Sequence, residues 1–193
     1  MKTDLEIVQI ILNGDKDAYR EVLSRYEKSV FRYVISNTKD EEMAKDICQE
    51  VFIQAYYKLY SYKKKYDFAA WLFKIAHNKT IDFIRKNKRQ RIVNLDETIK
   101  IDNVKIYSND LSPENAYEYR ELKGTIENFI GGLSKAEQQI IMFRYSCEEL
   151  SFKNIGEILN INENTVKYKY YRIYEKYEKY IESSKGVERI NEM

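Results

Sequence analysis

Four groups of residues in this 193-residue chain have types and spacings that could do chemistry. Asn164, Thr165, Lys167, Tyr168, Tyr171 and Arg172 share the outward side of one predicted helix. Amides, hydroxyls and cations on one helix face suit base edges and phosphates in a DNA major groove; the plainer alternative is a solvated face on a helical hairpin. The run Tyr60-Ser-Tyr-Lys-Lys-Lys-Tyr66 interleaves Tyr60, Tyr62 and Tyr66 with Lys63, Lys64 and Lys65. Aromatic faces stack on unpaired bases at about 1–3 kcal/mol per base, while lysines follow the backbone. Arg85, Lys86, Lys88, Arg89 and Arg91 crowd the end of another predicted helix. That is a phosphate-binding footprint, or cations answering a helix C-terminus, and both can hold. Asp46, Gln49 and Glu50 fall on one side of a third helix, where carboxylates suit a basic partner surface or simply solvent.

Other chemistry finds little support. His77 is the single histidine, with no partner at ligand spacing, and Cys48 and Cys147 stand in unrelated contexts. No metal site, cofactor or catalytic residue is expected, and no phosphate loop or nucleophile motif appears. Two unpaired cysteines fit a reduced compartment. No apolar run approaches the roughly 20 residues of a membrane helix, and the start carries acids rather than a signal core. The expectation is a cytoplasmic protein without membrane insertion. Lys+Arg 33 against Asp+Glu 31 leaves a net charge of +2, so the placement of charge matters more than its sum.

Those faces need helices to hold them. One proline and six glycines favour long helices over many short strands. From Asp15 to Ile35, Tyr19, Val22, Leu23, Tyr26, Val30, Tyr33 and Val34 recur at helical spacing. Thr38 and Glu41 offer a capping box for the next helix, whose inner face is Ala44, Ile47, Val51, Phe52, Ala55 and Leu59. Residues 60–67 break the pattern as a loop. Asp67 then caps a third helix reaching about Asn87, with Phe68, Leu72, Ile75 and Ala76 inward, Trp71 among them. From Arg91 to Pro113 the register weakens; a loop of about 22 residues is uncommon inside a compact domain, so this is a linker. Helical spacing resumes to Ile130, stops at Gly131-Gly132, and restarts behind a Ser134/Glu137 capping box.

The stretch from Leu150 to Lys167 has the chemistry of a helix-turn-helix. Ile155, Gly156 and Leu159 face inward, and Gly156 permits a close backbone approach. Asn160 tolerates a left-handed turn, Ile161 plugs the core, and Asn162 caps the second helix, which Val166 and Ile173 pin from below.

Two further strings distinguish among helix-turn-helix proteins. Asp46-Ile-Cys-Gln-Glu-Val-Phe52, and Phe68-Ala-Ala-Trp-Leu-Phe-Lys-Ile-Ala-His-Asn78 followed by Asp82, Arg85 and Lys86, together resemble region two of bacterial sigma factors. The segment from Leu133, with its leucine-serine start and Thr165-Val166-Lys167, resembles region four. The layout is similar to the extracytoplasmic-function (ECF) subfamily. Here Gly156 stands where that family usually has Ala, Tyr168-Lys169 where it favours Ser-Arg, and His77 where Arg is frequent.

The resemblance implies an all-α protein of two small helical domains. Residues 1–90 would be region two, a three-to-four-helix bundle. Residues 91–113 would be a flexible linker, 114–182 region four, and 183–193 a tail. It implies no enzymatic activity. The protein would bind core RNA polymerase through Asp46, Gln49 and Glu50. It would melt the downstream promoter element with Tyr60, Tyr62, Lys63, Lys64, Lys65, Tyr66, Asn78, Arg85 and Lys86. The upstream element would be read by Asn164, Thr165, Lys167, Tyr168, Tyr171 and Arg172. Partners would be core polymerase, promoter DNA and an anti-sigma factor. The rival is a stand-alone helix-turn-helix regulator with an N-terminal sensing or dimerisation domain.

Geometry adds a constraint. Promoter elements about 17 base pairs apart are separated by roughly 60 Å. A free linker of about 22 residues spans only ~26 Å on average but stretches to roughly 75 Å. The free protein is therefore expected to bind promoter DNA poorly, with polymerase supplying the geometry.

Overall fold

The computed structural model describes residues 2–64, 67–93, 122, 124–146 and 150–191, and among these there is no strand. The helices are α1 (Asp4–Leu12), α2 (Tyr19–Thr38), α3 (Glu41–Lys58), α4 (Phe68–Val93), α5 (residues 124–131), α6 (Lys135–Ser146), α7 (Phe152–Leu159) and α8 (Glu163–Asn191).

Helix α1 was not among the expected elements, although its signal is local. Thr3 caps it: the Glu6 amide donates to Thr3 Oγ1 at 3.3 Å and the Thr3 amide to Glu6 Oε2 at 2.7 Å. Ile7, Val8 and Ile11 bury its inner face against α2, and Arg25 and Tyr26 of α2 both bind Asp4. A turn capped by Asp15 leads into α2.

Lys39 ends α2 in the left-handed region, at φ 58°. The Thr38/Glu41 capping box does not form. Thr38 is still helical and donates to the Val34 carbonyl, and the left-handed turn presents Asp40 instead, which accepts from the Met43 amide at 2.9 Å. The expected Asp67 cap is present, accepting from the Ala70 amide at 3.1 Å.

Helices α2, α3 and α4 pack pairwise around Val30, Tyr33, Val34, Ala44, Val51, Leu72 and Phe73. Each large apolar side chain so buried contributes roughly 1.5–3 kcal/mol. In the C-terminal half, Ile140, Phe143, Leu150, Ile155 and Val166 are buried where α6, α7 and α8 meet. The Ser134/Glu137 box forms, with the Ser134 amide donating to Glu137 at 2.9 Å.

The two halves pack against each other. Helix α2 lies against α6 and α4 against α7, and one continuous apolar core runs through both halves. Of the expected linker, residues 91–93 continue α4, and 94–113 lie outside the described residues. Helix α8 continues into the expected tail, through Asn191.

Candidate nucleic-acid interface

The helix-turn-helix is built from local chemistry. Ser151 caps α7, accepting from the Asn154 amide at 3.1 Å. Asn160 ends α7 at φ 57°, ψ 45°, a conformation asparagine adopts more readily than other side-chain-bearing residues. The Asn162 side chain accepts from the Asn164 amide at 2.8 Å and starts α8. A Cβ on Gly156 would lie 2.7 Å from the Ile161 carbonyl oxygen, so glycine lets the turn close over α7. Val166 and Ile173 point into the core.

That register exposes Asn164, Thr165, Tyr168, Tyr171 and Arg172 together. Lys167 is half-buried and pairs with Glu163 at 2.7 Å. The Arg172 guanidinium lies 5.6 Å from the Tyr168 ring centroid and donates to its hydroxyl at 3.3 Å, which pre-orders both on the outer face.

Two supports of this face are not visible in sequence spacing. Arg144 of α6 lies over the Phe152 and Tyr170 rings and donates to the Leu150 carbonyl at 2.9 Å, holding the start of α7. Lys176 of α8 donates to Glu137 of α6 at 2.6 Å. Burial pushes the Glu137 pKa up, but Lys176 and Ser134 outweigh it and hold the group at about 2. The nearest available signal was the Ser134/Glu137 capping pair, which places the carboxylate but not its distant cation.

In the N-terminal half, Asp46, Gln49 and Glu50 are exposed on one face of α3, while Ile47 and Val51 are buried. Glu50 accepts from Lys79 of α4 at 2.8 Å. Gln49 also borders an apolar groove of about 890 Å³ between α2 and α3, lined by Leu23, Phe31, Phe52, Ile53 and Tyr56. Cys48 is buried, and burial first, then the Glu27 charge, pushes its thiol up to about 12.

The aromatic-basic loop divides. Tyr60 is 80% exposed, and Lys63 and Lys64 are exposed beside it. Tyr62 is only 8% exposed: its ring packs 5.4 Å from Phe68 and 5.5 Å from Trp71. In this conformation Tyr62 belongs to the core and offers no free stacking face. Lys65 and Tyr66 lie outside the described residues. On α4, Asn78, Arg85 and Lys86 are exposed; the side chains of Lys88, Arg89 and Arg91 lie outside the described set. The structure thus gathers the upstream set on α8, places Asn78, Arg85 and Lys86 along α4, and leaves Tyr62 out of the loop's exposed group.

Among the described residues, no cluster of His, Cys, Asp and Glu could hold a metal, and no helix is long and apolar enough to cross a membrane.

Residues 22–90 match the Sigma-70 region 2 family model, and residues 123–176 match Sigma-70, region 4. The chain is 33% identical over 169 residues to the ECF RNA polymerase sigma factor SigW of Bacillus subtilis, covering 86% of this chain and 89% of that protein. Its identity to the ECF RNA polymerase sigma factor SigM of Bacillus subtilis is 29%, covering 79% and 88%. In fold it is similar to CnrH in complex with the cytosolic domain of CnrY, with a TM-score of 0.65, 17% identity and coverage of 94% and 99%. It is also similar to the sigma factor RpoE in complex with the anti-sigma factor NepR from Bartonella quintana, with a TM-score of 0.61, 18% identity and coverage of 85% and 96%. Sequence, fold and the order of the two matched regions agree: the chain belongs to the ECF family of RNA polymerase sigma factors.

Proposed function

We propose that this protein performs the sigma-factor task, recruiting core RNA polymerase and directing promoter-specific initiation, through three surfaces on two modules, residues 1–90 and 114–182. The exposed row Asp46, Gln49 and Glu50 binds core polymerase. Tyr60, Lys63, Lys64, Lys65 and Tyr66, with Asn78, Arg85 and Lys86, capture and melt the downstream element. Tyr62 joins them only if its ring leaves Phe68 and Trp71. Asn164, Thr165, Lys167, Tyr168, Tyr171 and Arg172 read the upstream element. The observation that carries this reading is the pairing, on one chain, of a region-two match bearing an exposed acidic row with a region-four match bearing an exposed recognition face.

The chain works without catalysis of its own, and it acts in the cytoplasm. An anti-sigma factor is its third partner; the Bartonella quintana sigma factor, whose fold the chain shares, is bound to one. The rival reading, a regulator with an N-terminal sensing domain, gives way to the region 2 match over residues 22–90.

Co-purification with bacterial core polymerase tests the reading. The wild-type protein is expected to bind, and Asp46→Lys with Glu50→Lys to weaken binding by roughly tenfold or more, as unlike charges become like. Equal retention of both proteins would remove the acidic row from the account.

A further inference from the structure

Helix α1 lies outside the region 2 match, which begins at residue 22, yet it packs against the turn Leu59–Ser61 that carries Tyr60. Asp4, in the first turn of α1, ties that helix to α2. Its side chain is 23% exposed; Oδ1 accepts from Arg25, and Oδ2 accepts from the Tyr26 hydroxyl at 2.6 Å. Arg25 also donates to the Lys2 carbonyl at 2.9 Å, so the start of α1 is held at two points.

From Tyr26 the contact continues through aromatic rings. The Tyr26 ring lies 5.7 Å from Phe68. Phe68 meets Tyr62 edge-on at 5.4 Å, and Trp71 lies 5.5 Å from each of them. The Asp4 charge reaches Tyr62 as well: burial first, then the Asp67 and Asp4 charges, push its phenol up. Leu59 and Tyr62 are both buried, and the Tyr62 amide donates to the Leu59 carbonyl at 3.1 Å. The turn is thus pinned at both ends, while Tyr60, Lys63 and Lys64 face solvent. A segment fixed at two buried points presents its exposed side chains with little further ordering cost on binding.

We propose that Asp4 is a positioning residue for promoter opening: through Arg25, Tyr26 and Phe68 it holds α1 and Tyr62 in place, and so holds Tyr60, Lys63 and Lys64 ready for the unpaired strand. The inference rests on the sigma-factor reading and deepens it. Asp4 itself touches no DNA in this scheme. It acts through the rings beneath the loop, and Tyr62 serves the loop as its anchor.

Three variants of the full-length protein test this. Asp4→Asn removes the charge that Arg25 and Tyr26 bind. Tyr26→Phe keeps the ring against Phe68 and removes only the hydroxyl bond to Asp4. Asp4→Glu restores the carboxylate. Trp71 is the single tryptophan, so acrylamide quenching of its fluorescence reads its packing against Tyr62 in the free protein. Asp4→Asn and Tyr26→Phe should make Trp71 easier to quench, and Asp4→Glu should stay close to wild type. With core polymerase, Asp4→Asn and Tyr26→Phe should lower permanganate reactivity of the downstream element by roughly three- to tenfold, and Asp4→Glu should recover it. Affinity for core should not change, because α1 packs on α2 and the Leu59–Ser61 turn whereas the acidic row lies on α3. A variant that simply unfolds would lose core binding too. Unchanged quenching in both Asp4→Asn and Tyr26→Phe overturns the proposal. So does promoter opening that is unchanged, raised, or lost only in step with core affinity. Absence of core-dependent opening by the wild-type protein would instead defeat the sigma-factor reading, while Trp71 quenching still decides whether Asp4 holds the turn.

Discussion

Glu137→Gln should cost this protein about 2 kcal/mol at neutral pH, and the loss should fade in acid. The Glu137 side chain is 9% exposed and accepts from the Ser134 amide at 2.9 Å, Ser134 Oγ at 2.6 Å and Lys176 Nζ at 2.6 Å. These contacts overcome burial and hold its pKa at about 2, against an ordinary 4.5. At about 1.4 kcal/mol per pH unit, that difference corresponds to roughly 3 kcal/mol. Lys176 is 41% exposed, and water screening reduces the figure to about 2 kcal/mol. The sign follows from proton binding. The unfolded chain holds this proton at higher pH than the folded one. Stabilisation is therefore complete above about pH 4.5, falls to less than half by about pH 3, and is almost gone near pH 2. Glutamine can still accept from Ser134 but carries no charge for Lys176. Urea unfolding of both proteins at pH 7 and pH 3, followed by circular dichroism, reads the effect. Equal stability at pH 7, or a difference of the same size at pH 3, would refute the reasoning. The same pair ties α8 to α6, so the variant should also lower transcription from promoters that depend on the upstream element.

Gly156→Ala should cost about 1–3 kcal/mol, read by urea unfolding, because its Cβ would meet the Ile161 carbonyl oxygen at 2.7 Å and the turn must shift. Lys63→Glu with Lys64→Glu should reduce promoter opening in permanganate footprints and flatten its salt dependence by roughly 1.4 in log–log slope, about 0.7 for each single-strand phosphate that is no longer neutralised.

The helix-turn-helix was legible because its determinants are local. Asn160 in a left-handed turn, Asn162 as a cap and Gly156 at the crossing are each set by neighbours within a few residues. Long helices with one buried stripe were equally legible, since Val22, Tyr26, Val30 and Tyr33 of α2 recur at the helical period. Helix α1 was missed because nine residues give too few turns for a convincing period, although Thr3 and Glu6 carry a capping pair. At Thr38, the residue pattern allowed two starts for α3, and the left-handed Lys39 decided for Asp40. Tyr62 illustrates another limit: its type and neighbours suit base stacking, but Phe68 and Trp71 supply an apolar site that covers it. The contact between the halves left no trace in spacing. Tyr33 and Phe143 lie on different helices, and their stacking joins positions far apart in the chain.

Run-off transcription with purified bacterial core polymerase, on the promoter of the protein's own operon, tests the central claim most directly. The account predicts a discrete transcript that needs both the protein and core, is weakened by Asp46→Lys with Glu50→Lys, and is lost when Asn164 and Lys167 are both replaced by alanine. Tight, specific binding of that promoter by the protein alone, with no transcript when core is added, would contradict it.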